Sequence, residues 1–277
     1  MRTRETLLIA AREVQDAFRA RWFFALAGGL FVLSVALSLT GLAGSGREGL
    51  AGFDRTSASL LNLALLFVPL TTLTLGALGL SGEIEDGSLG LLLSQPITRA
   101  EVFFGKYLGV LAAVTAAVMA GCGAAAIVVA WGDGPGRPAV FAAVVAMICL
   151  LAAATLGIGV LLSVAVPSRT RATGAAFSVW LLLVYVSDLG TVGLTVARQL
   201  SAGQVFALAL LNPLQQARVL GTLALSARLD VLGPAGIYGL DHLGATGLAV
   251  ALVAALVSSG LAALAVGYAV FRKAVVA

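Results

Sequence analysis

Six apolar stretches decide what this chain can become. They run Trp22–Leu42, Leu60–Leu80, Tyr107–Trp131, Ala139–Val166, Ala172–Ser187 and Ala245–Phe271. A helix needs about 20 predominantly apolar residues to cross a bilayer. Only helices and closed barrels satisfy their own backbone hydrogen bonds in hydrocarbon. The expected fold is therefore all-α, a polytopic membrane protein with about six transmembrane helices. Composition agrees, at 60% hydrophobic residues, 11% charged and a mean hydropathy of +1.04, against about 45–50% apolar and about 25% charged in soluble domains. The third, fourth and sixth stretches are long enough to tilt or protrude into the headgroups. The fifth is interrupted by Asp188 and Gly190, with apolar residues resuming at 192–197.

The opening, MRTRETLLIAAREVQDAFRARW, is charged throughout. It lacks the short basic, apolar and small-residue pattern that a processed signal needs, so the first stretch is expected to remain as an anchor. Leu7, Ala11, Val14 and Phe18 recur at three- and four-residue steps, while Arg4, Arg12, Gln15, Asp16 and Arg19 take other faces. This periodicity predicts an amphipathic helix over residues 3–21, started by Thr3 and lying in the membrane interface, where it contacts lipid. A solvated helical tail is the alternative. The chain thus divides into an N-terminal interfacial helix (1–21) and a six-helix transmembrane domain (22–277).

Cytoplasmic loops of membrane proteins carry an excess of Lys and Arg. With the N-terminus cytoplasmic, eleven of the seventeen basic residues face the cytoplasm and six face outward. Both termini are therefore expected to be cytoplasmic. Residues 188–244 then form the longest outward segment, read as two or three short amphipathic helices that partly re-enter the membrane. Its arginines, Arg198, Arg218 and Arg228, are candidates for pairing with carboxylates of an extracytoplasmic partner. Closure of the outer end by these helices is the plainer reading, and the two roles can coexist.

Residues 81–106, between the second and third stretches, carry the densest local information. Glu83, Glu85 and Asp86 form an acidic cluster, followed by Gly87 and Ser88. The apolar run Leu89–Leu93, with Leu92 in its middle, is far too short to cross a membrane. Pro96 ends it and restricts Gln95 to extended backbone. Thr98–Arg99–Ala100–Glu101 matches a capping box that starts the next helix. Helix, sharp turn, helix with an exposed apolar ridge has reason to insert into a groove on a partner. An ordinary surface turn is the plainer alternative.

The order Glu83–Ile84–Glu85–Asp86–Gly87–Ser88–Leu89, then Leu91–Arg99, then Gly105–Gly109 resembles the permease subunits of ABC-2 type transporters. With the six-stretch layout and the N-terminal helix, the resemblance covers most of the chain. It implies a homodimer in a bacterial inner membrane, joined to two copies of a cytoplasmic ATPase by a coupling helix within 81–106. On this resemblance Glu83, Glu85, Asp86, Gly87, Ser88, Leu92, Gln95, Pro96, Arg99 and Glu101 are ATPase-coupling residues. General likeness along the chain points to the branch of the family that serves nitrous oxide reductase. That implies a periplasmic partner and a role in supplying copper or sulfur to the copper sites of the reductase. The alternatives are a permease for an unrelated lipid, drug or polysaccharide, and a membrane scaffold that transports nothing.

No catalytic residues are expected. Gly105–Lys106 is followed by Tyr107, and Ala100 stands where a phosphate-binding loop needs its first glycine, so ATP and Mg belong to a partner subunit and this chain holds no cofactor. Soft metals such as Cu(I) favour clustered thiolate or thioether ligands. The candidates are sparse: His242 beside Asp241, and Met119 and Cys122 on the third stretch with Met147 and Cys149 on the fourth, which gather only if the two helices bring them together. No metal site is expected. The two cysteines read as small hydrophobes, with an interhelical disulfide as the alternative. Gly105–Lys106–Tyr107–Leu108–Gly109 fits the small-xxx-small packing pattern, with Lys106 expected to snorkel to the interface. Asp188, near the end of a stretch, reads as a functional suspect or as a plain interfacial acid. The net charge of +4 follows from the basic loops and gives no case for nucleic acid.

Overall fold

The computed structural model describes residues 3–44, 52–94, 96–133, 138–166, 168–185, 201–225 and 233–274. All regular structure among them is helical. In chain order the helices are α1 (Thr3–Arg19), α2 (Arg21–Gly44), α3 (Gly52–Glu85), α4 (Ser88–Leu93), α5 (Arg99–Asp133), α6 (Pro138–Ala165), α7 (Arg169–Tyr185), α8 (Ala202–Ala209), α9 (Pro213–Leu225) and α10 (Gly233–Ala274). Among the described residues four segments are long and apolar enough to span a bilayer: Leu60–Glu85, Arg99–Ile127, Ala139–Ala165 and Gly236–Lys273. Helices α2 and α7 occupy the places of the first and fifth apolar stretches; α7 has 17 residues.

Local chemistry sets several helix ends. Pro138 and Pro213 stand first in α6 and α9, where proline's missing N–H is no loss and its φ is already helical. Asn212 caps α9, accepting from Leu214 N at 2.9 Å while its own amide donates to Leu183 O at 2.8 Å. Helix α10 is broken at Gly244, whose φ of 69° and ψ of 171° lie outside helical space. The break falls one residue before the sixth apolar stretch and separates residues 233–243 from the long arm 245–274.

Glycine governs the closest crossings. A Cβ on Gly76 of α3 would lie 2.8 Å from Leu156 O, and one on Gly159 of α6 would lie 2.6 Å from Leu73 O. Just along this crossing Thr72 and Thr155 share a hydrogen bond at 2.7 Å. Small residues with interhelical hydroxyl bonds hold helices together where lipid removes any hydrophobic preference between them. Gly157 and Gly260 bring α6 and α10 together in the same way, and Gly121 seats α5 against Ala27 of α2.

The main core joins α2, α3, α5, α6, α7 and α9 through residues such as Leu30, Leu60, Leu73, Val118, Ile148 and Leu256 of α10. A second cluster lies at the end of the bundle that carries α4, with Leu80, Leu89, Val102, Phe103, Leu156, Leu264 and Phe271. Helices α8 and α9 lie at the opposite end, where Phe206 meets Tyr238, at 5.8 Å between ring centroids, and Gly221 meets Leu61. The outer wall exposes Phe24, Val32, Phe177, Leu182, Val250 and Leu261. Apolar surface on this scale fits a bilayer as the surrounding solvent.

Candidate functional site

The segment joining α3 to α5 is a tight helix–turn–helix. Asp86 N donates to Gly82 O at 3.0 Å and Gly87 N to Ile84 O at 3.3 Å, so hydrogen bonding continues just past the end of α3. Gly87 then takes φ 72° and ψ 0°, a left-handed conformation that glycine adopts without steric penalty. Here the chain reverses into α4. Leu89 points into the second core cluster and is 6% exposed, whereas Leu91, two residues on, is 75% exposed. Leu92 and Leu93 are half-buried against the same cluster. The Ser94 hydroxyl donates to Leu91 O at 2.8 Å as α4 ends, and Pro96 is exposed.

Helix α5 begins with the capping box that the sequence spells out. Thr98 N donates to Glu101 Oε2 at 2.8 Å, and Glu101 N donates to Thr98 Oγ1 at 3.3 Å. Arg99 Nη1 donates to Arg272 O at 3.0 Å, which ties the start of α5 to the last turns of α10. Glu101 is buried. Phe103 packs on Phe271 and Tyr268, with ring centroids at 5.8 and 5.6 Å. The result is a short exposed apolar tip on a closely packed pedestal.

The acidic cluster before the turn is engaged within the chain. Lys106 of α5 pairs with Glu83 of α3 at 2.8 Å and with Glu13 of α1 at 2.6 Å. Its side chain is only 10% exposed, so the expected snorkelling is corrected: with two carboxylates at hand the ammonium needs no water. The same stretch of α5 seats α1, because a Cβ on Gly105 would meet Ile9 at 2.9 Å and one on Gly109 would meet Glu13 Cβ at 2.5 Å. The glycine pattern thus receives the N-terminal helix. Beyond the turn, Arg169 N at the start of α7 donates to Glu85 Oε2 at 2.6 Å. The Arg169 guanidinium pairs with Asp86 and lies over Gly82.

Helix α1 presents two faces. Thr6, Ile9, Ala10, Glu13 and Ala17 form the side toward α5, with Thr6 and Ala17 buried. Leu7, Leu8, Ala11 and Phe18 are exposed, Leu7 by 65% and Phe18 by 45%. Of the periodic stripe seen in the sequence, Leu7, Ala11 and Phe18 are exposed, Val14 is half-buried and Phe18 rests on Phe23, 4.6 Å between ring centroids; Ile9 with small and polar neighbours packs on α5.

Among the expected coupling residues, Gly87, Ser88 and Pro96 are exposed at the turn, Leu92 is half-buried, and Glu83, Glu85, Asp86, Arg99 and Glu101 bond within the chain. Gln95 lies outside the described residues, as do Arg198, Arg228, Asp188 and Pro167. Arg218 is half-buried on α9. Leu91, Glu13 and Arg169 are the site residues that sequence reasoning missed. A lysine beside glycines in an apolar run does demand a carboxylate, but nothing local says which one.

His242 stacks on Tyr238, with ring centroids 4.0 Å apart, and its Nδ1 lies 2.9 Å from Tyr238 O. Among the described residues no group of three or more His, Cys, Asp or Glu is placed to hold a metal ion. Cys122 and Cys149 are free thiols. Met147 and Cys122 are buried, while Met119 is 59% exposed.

Residues 7–275 match the ABC-2 family transporter protein profile. The chain belongs to this family, and it is a multi-pass membrane permease subunit. It is similar to the probable ABC transporter permease protein NosY of Stutzerimonas stutzeri, with 33% identity over 269 residues, covering 90% of this chain and 96% of the relative. It is similar also to the probable ABC transporter permease protein NosY of Pseudomonas aeruginosa, with 30% identity over 272 residues, covering 96% and 97%.

Proposed function

We propose that this chain is the permease of a NosY-like complex in the bacterial inner membrane, with six transmembrane helices and both termini cytoplasmic. Two copies pair with each other and with a NosF-like cytoplasmic ATPase, which binds and hydrolyses ATP with Mg. The complex passes a conformational change, or a copper or sulfur cargo, to a NosD-like periplasmic protein that serves the copper sites of nitrous oxide reductase. The names of the two relatives support this reading.

The observation that carries the coupling role is the α4 turn. Its apolar tip, Leu91, is exposed while its neighbour Leu89 is anchored in the core. A protruding side chain on a packed support suits docking into a groove of a partner with little ordering cost. Leu91, Ser88, Gly87, Gln95 and Pro96 make the contact in this reading. Glu83, Glu85, Asp86, Arg99 and Glu101 hold the turn in position. Arg198, Arg218 and Arg228 pair with the periplasmic partner in this reading.

Cells carrying Leu91→Asp in place of the wild-type chain are expected to export nitrous oxide reductase without its copper, seen as loss of the copper absorption bands of the purified enzyme. The Asp variant should be present in the membrane at wild-type levels. A fully copper-loaded reductase from those cells would contradict the proposal.

A further inference from the structure

The end of α3 is joined to its neighbours in two unlike ways. On one side Lys106 lies between Glu83 and Glu13, its side chain 10% exposed and the two carboxylates 31% and 26% exposed. Separating the helices here would leave the Lys106 ammonium, on a side chain only 10% exposed, without the carboxylates that balance its charge. Gly105 and Gly109 add backbone-close packing against α1 at the same level. On the other side Arg169 and Asp86 pair with side chains 53% and 55% exposed, and the bond from Arg169 N to Glu85 is also exposed. Water can replace the two carboxylates there, and the remaining contact, Arg169 Nη2 to Gly82 O, is long at 3.5 Å, so that joint opens at smaller cost than the one at Lys106.

We propose that these are a permanent joint and a breakable one. The α3–α4 turn moves with α1 and the start of α5 as one body, held by Lys106, and parts from α7 at Arg169 during the working cycle. The contact between the end of α3 and the start of α7 is then the seam across which motion received at α4 enters the bundle. Lys106 and Arg169 are positioning residues in this scheme, since neither is required to touch ATP or cargo. The scheme rests on the permease reading for its source of motion; the assignment of the two joints does not.

Spin labels on single cysteines, in a chain lacking Cys122 and Cys149, test it by pulsed electron resonance. Labelled chain is diluted into unlabelled chain, so that each complex carries one labelled copy. One pair joins Gln15 on α1 to Ser88 on α4, and the other joins Ser88 to Thr170 on α7. In lipid nanodiscs without any ATPase, Arg169→Gln should broaden the Ser88–Thr170 distances and leave the Gln15–Ser88 distances unchanged. Lys106→Met should do the reverse. With the partner ATPase bound, trapping by ATP and vanadate should change the Ser88–Thr170 distance by about 5 Å, the scale of a one-turn slip, and the Gln15–Ser88 distance by less than about 2 Å. If Arg169→Gln leaves both pairs unchanged, or trapping moves α1 away from α4, the proposal is overturned. If no ATPase is captured while the two variants behave as stated, the permease reading fails and the joints stand.

Discussion

Lys106 and Arg169 put the same chemistry in opposite surroundings, which allows their worth to be ranked. Removing one partner of a fully buried pair costs about 3–5 kcal/mol; Glu13 and Glu83, 26% and 31% exposed, keep some water, so the cost at Lys106 falls below that range. An exposed pair contributes about 0–1 kcal/mol. Lys106→Met should therefore lower the thermal unfolding midpoint in detergent by far more than Arg169→Gln, whose midpoint should stay close to wild type. Equal shifts would show that the Lys106 site is wetter than its 10% side-chain exposure implies. The lysine itself was legible in the sequence as a charge at the edge of an apolar stretch. Its partners were not, because Glu13 and Glu83 lie 93 and 23 positions away and no local spacing connects them.

Elements whose signals are local could be read directly. The Thr98–Glu101 capping box is set by residues three positions apart, and the structure shows it; the reversal at Gly87 is equally local, but its left-handed backbone emerged only from the fold. Helix α1 was half legible: its exposed apolar stripe follows from periodicity, but its packing face of Thr6, Ala10 and Glu13 has no apolar repeat to betray it. Glycine was the least legible, since 33 of them make small-xxx-small spacing commonplace. Only the fold shows that Gly76 and Gly159 meet. Gly159→Leu places side-chain atoms against the backbone of α3, with even its Cβ 2.6 Å from Leu73 O. Such overpacking typically costs about 1–3 kcal/mol or more. Gly123→Leu has open space around its Cβ and is the matched control. The Gly159 variant should show a lower midpoint and a reduced yield of monodisperse protein, and the Gly123 variant should not. Parity between the two would mean that the α3–α6 crossing yields more easily than its geometry implies.

For the molecule as a whole, hydropathy sets the membrane-embedded helices, and loop charge is the ground for the proposed orientation. Orientation has its own test. In a chain lacking Cys122 and Cys149, Ser201→Cys before α8 should react with an impermeant thiol reagent added outside intact spheroplasts. Ser168→Cys before α7 should react only after lysis, and the opposite pattern would invert the topology. The part of the molecule that sequence could not supply is the direction of each side chain at the α4 turn. Leu89, Leu91 and Leu92 are equivalent in a sequence read one residue at a time, and only the packed cluster around Phe103 separates the anchor from the tip.

That separation makes Leu91 the place to ask whether α4 docks an ATPase at all. The measurement is affinity capture of this chain from detergent-solubilised native membranes, with the amount of co-captured ATPase quantified for wild type, Leu91→Asp and Leu211→Asp. Leu211 is also highly exposed, at 78%, and lies next to α9 at the opposite end. Wild type and Leu211→Asp should bring down the ATPase in equimolar amount, and Leu91→Asp should lose it at least tenfold, a penalty of about 1.4 kcal/mol or more in binding. Equal ATPase recovery from all three chains, or none from wild type, would contradict a coupling role for α4.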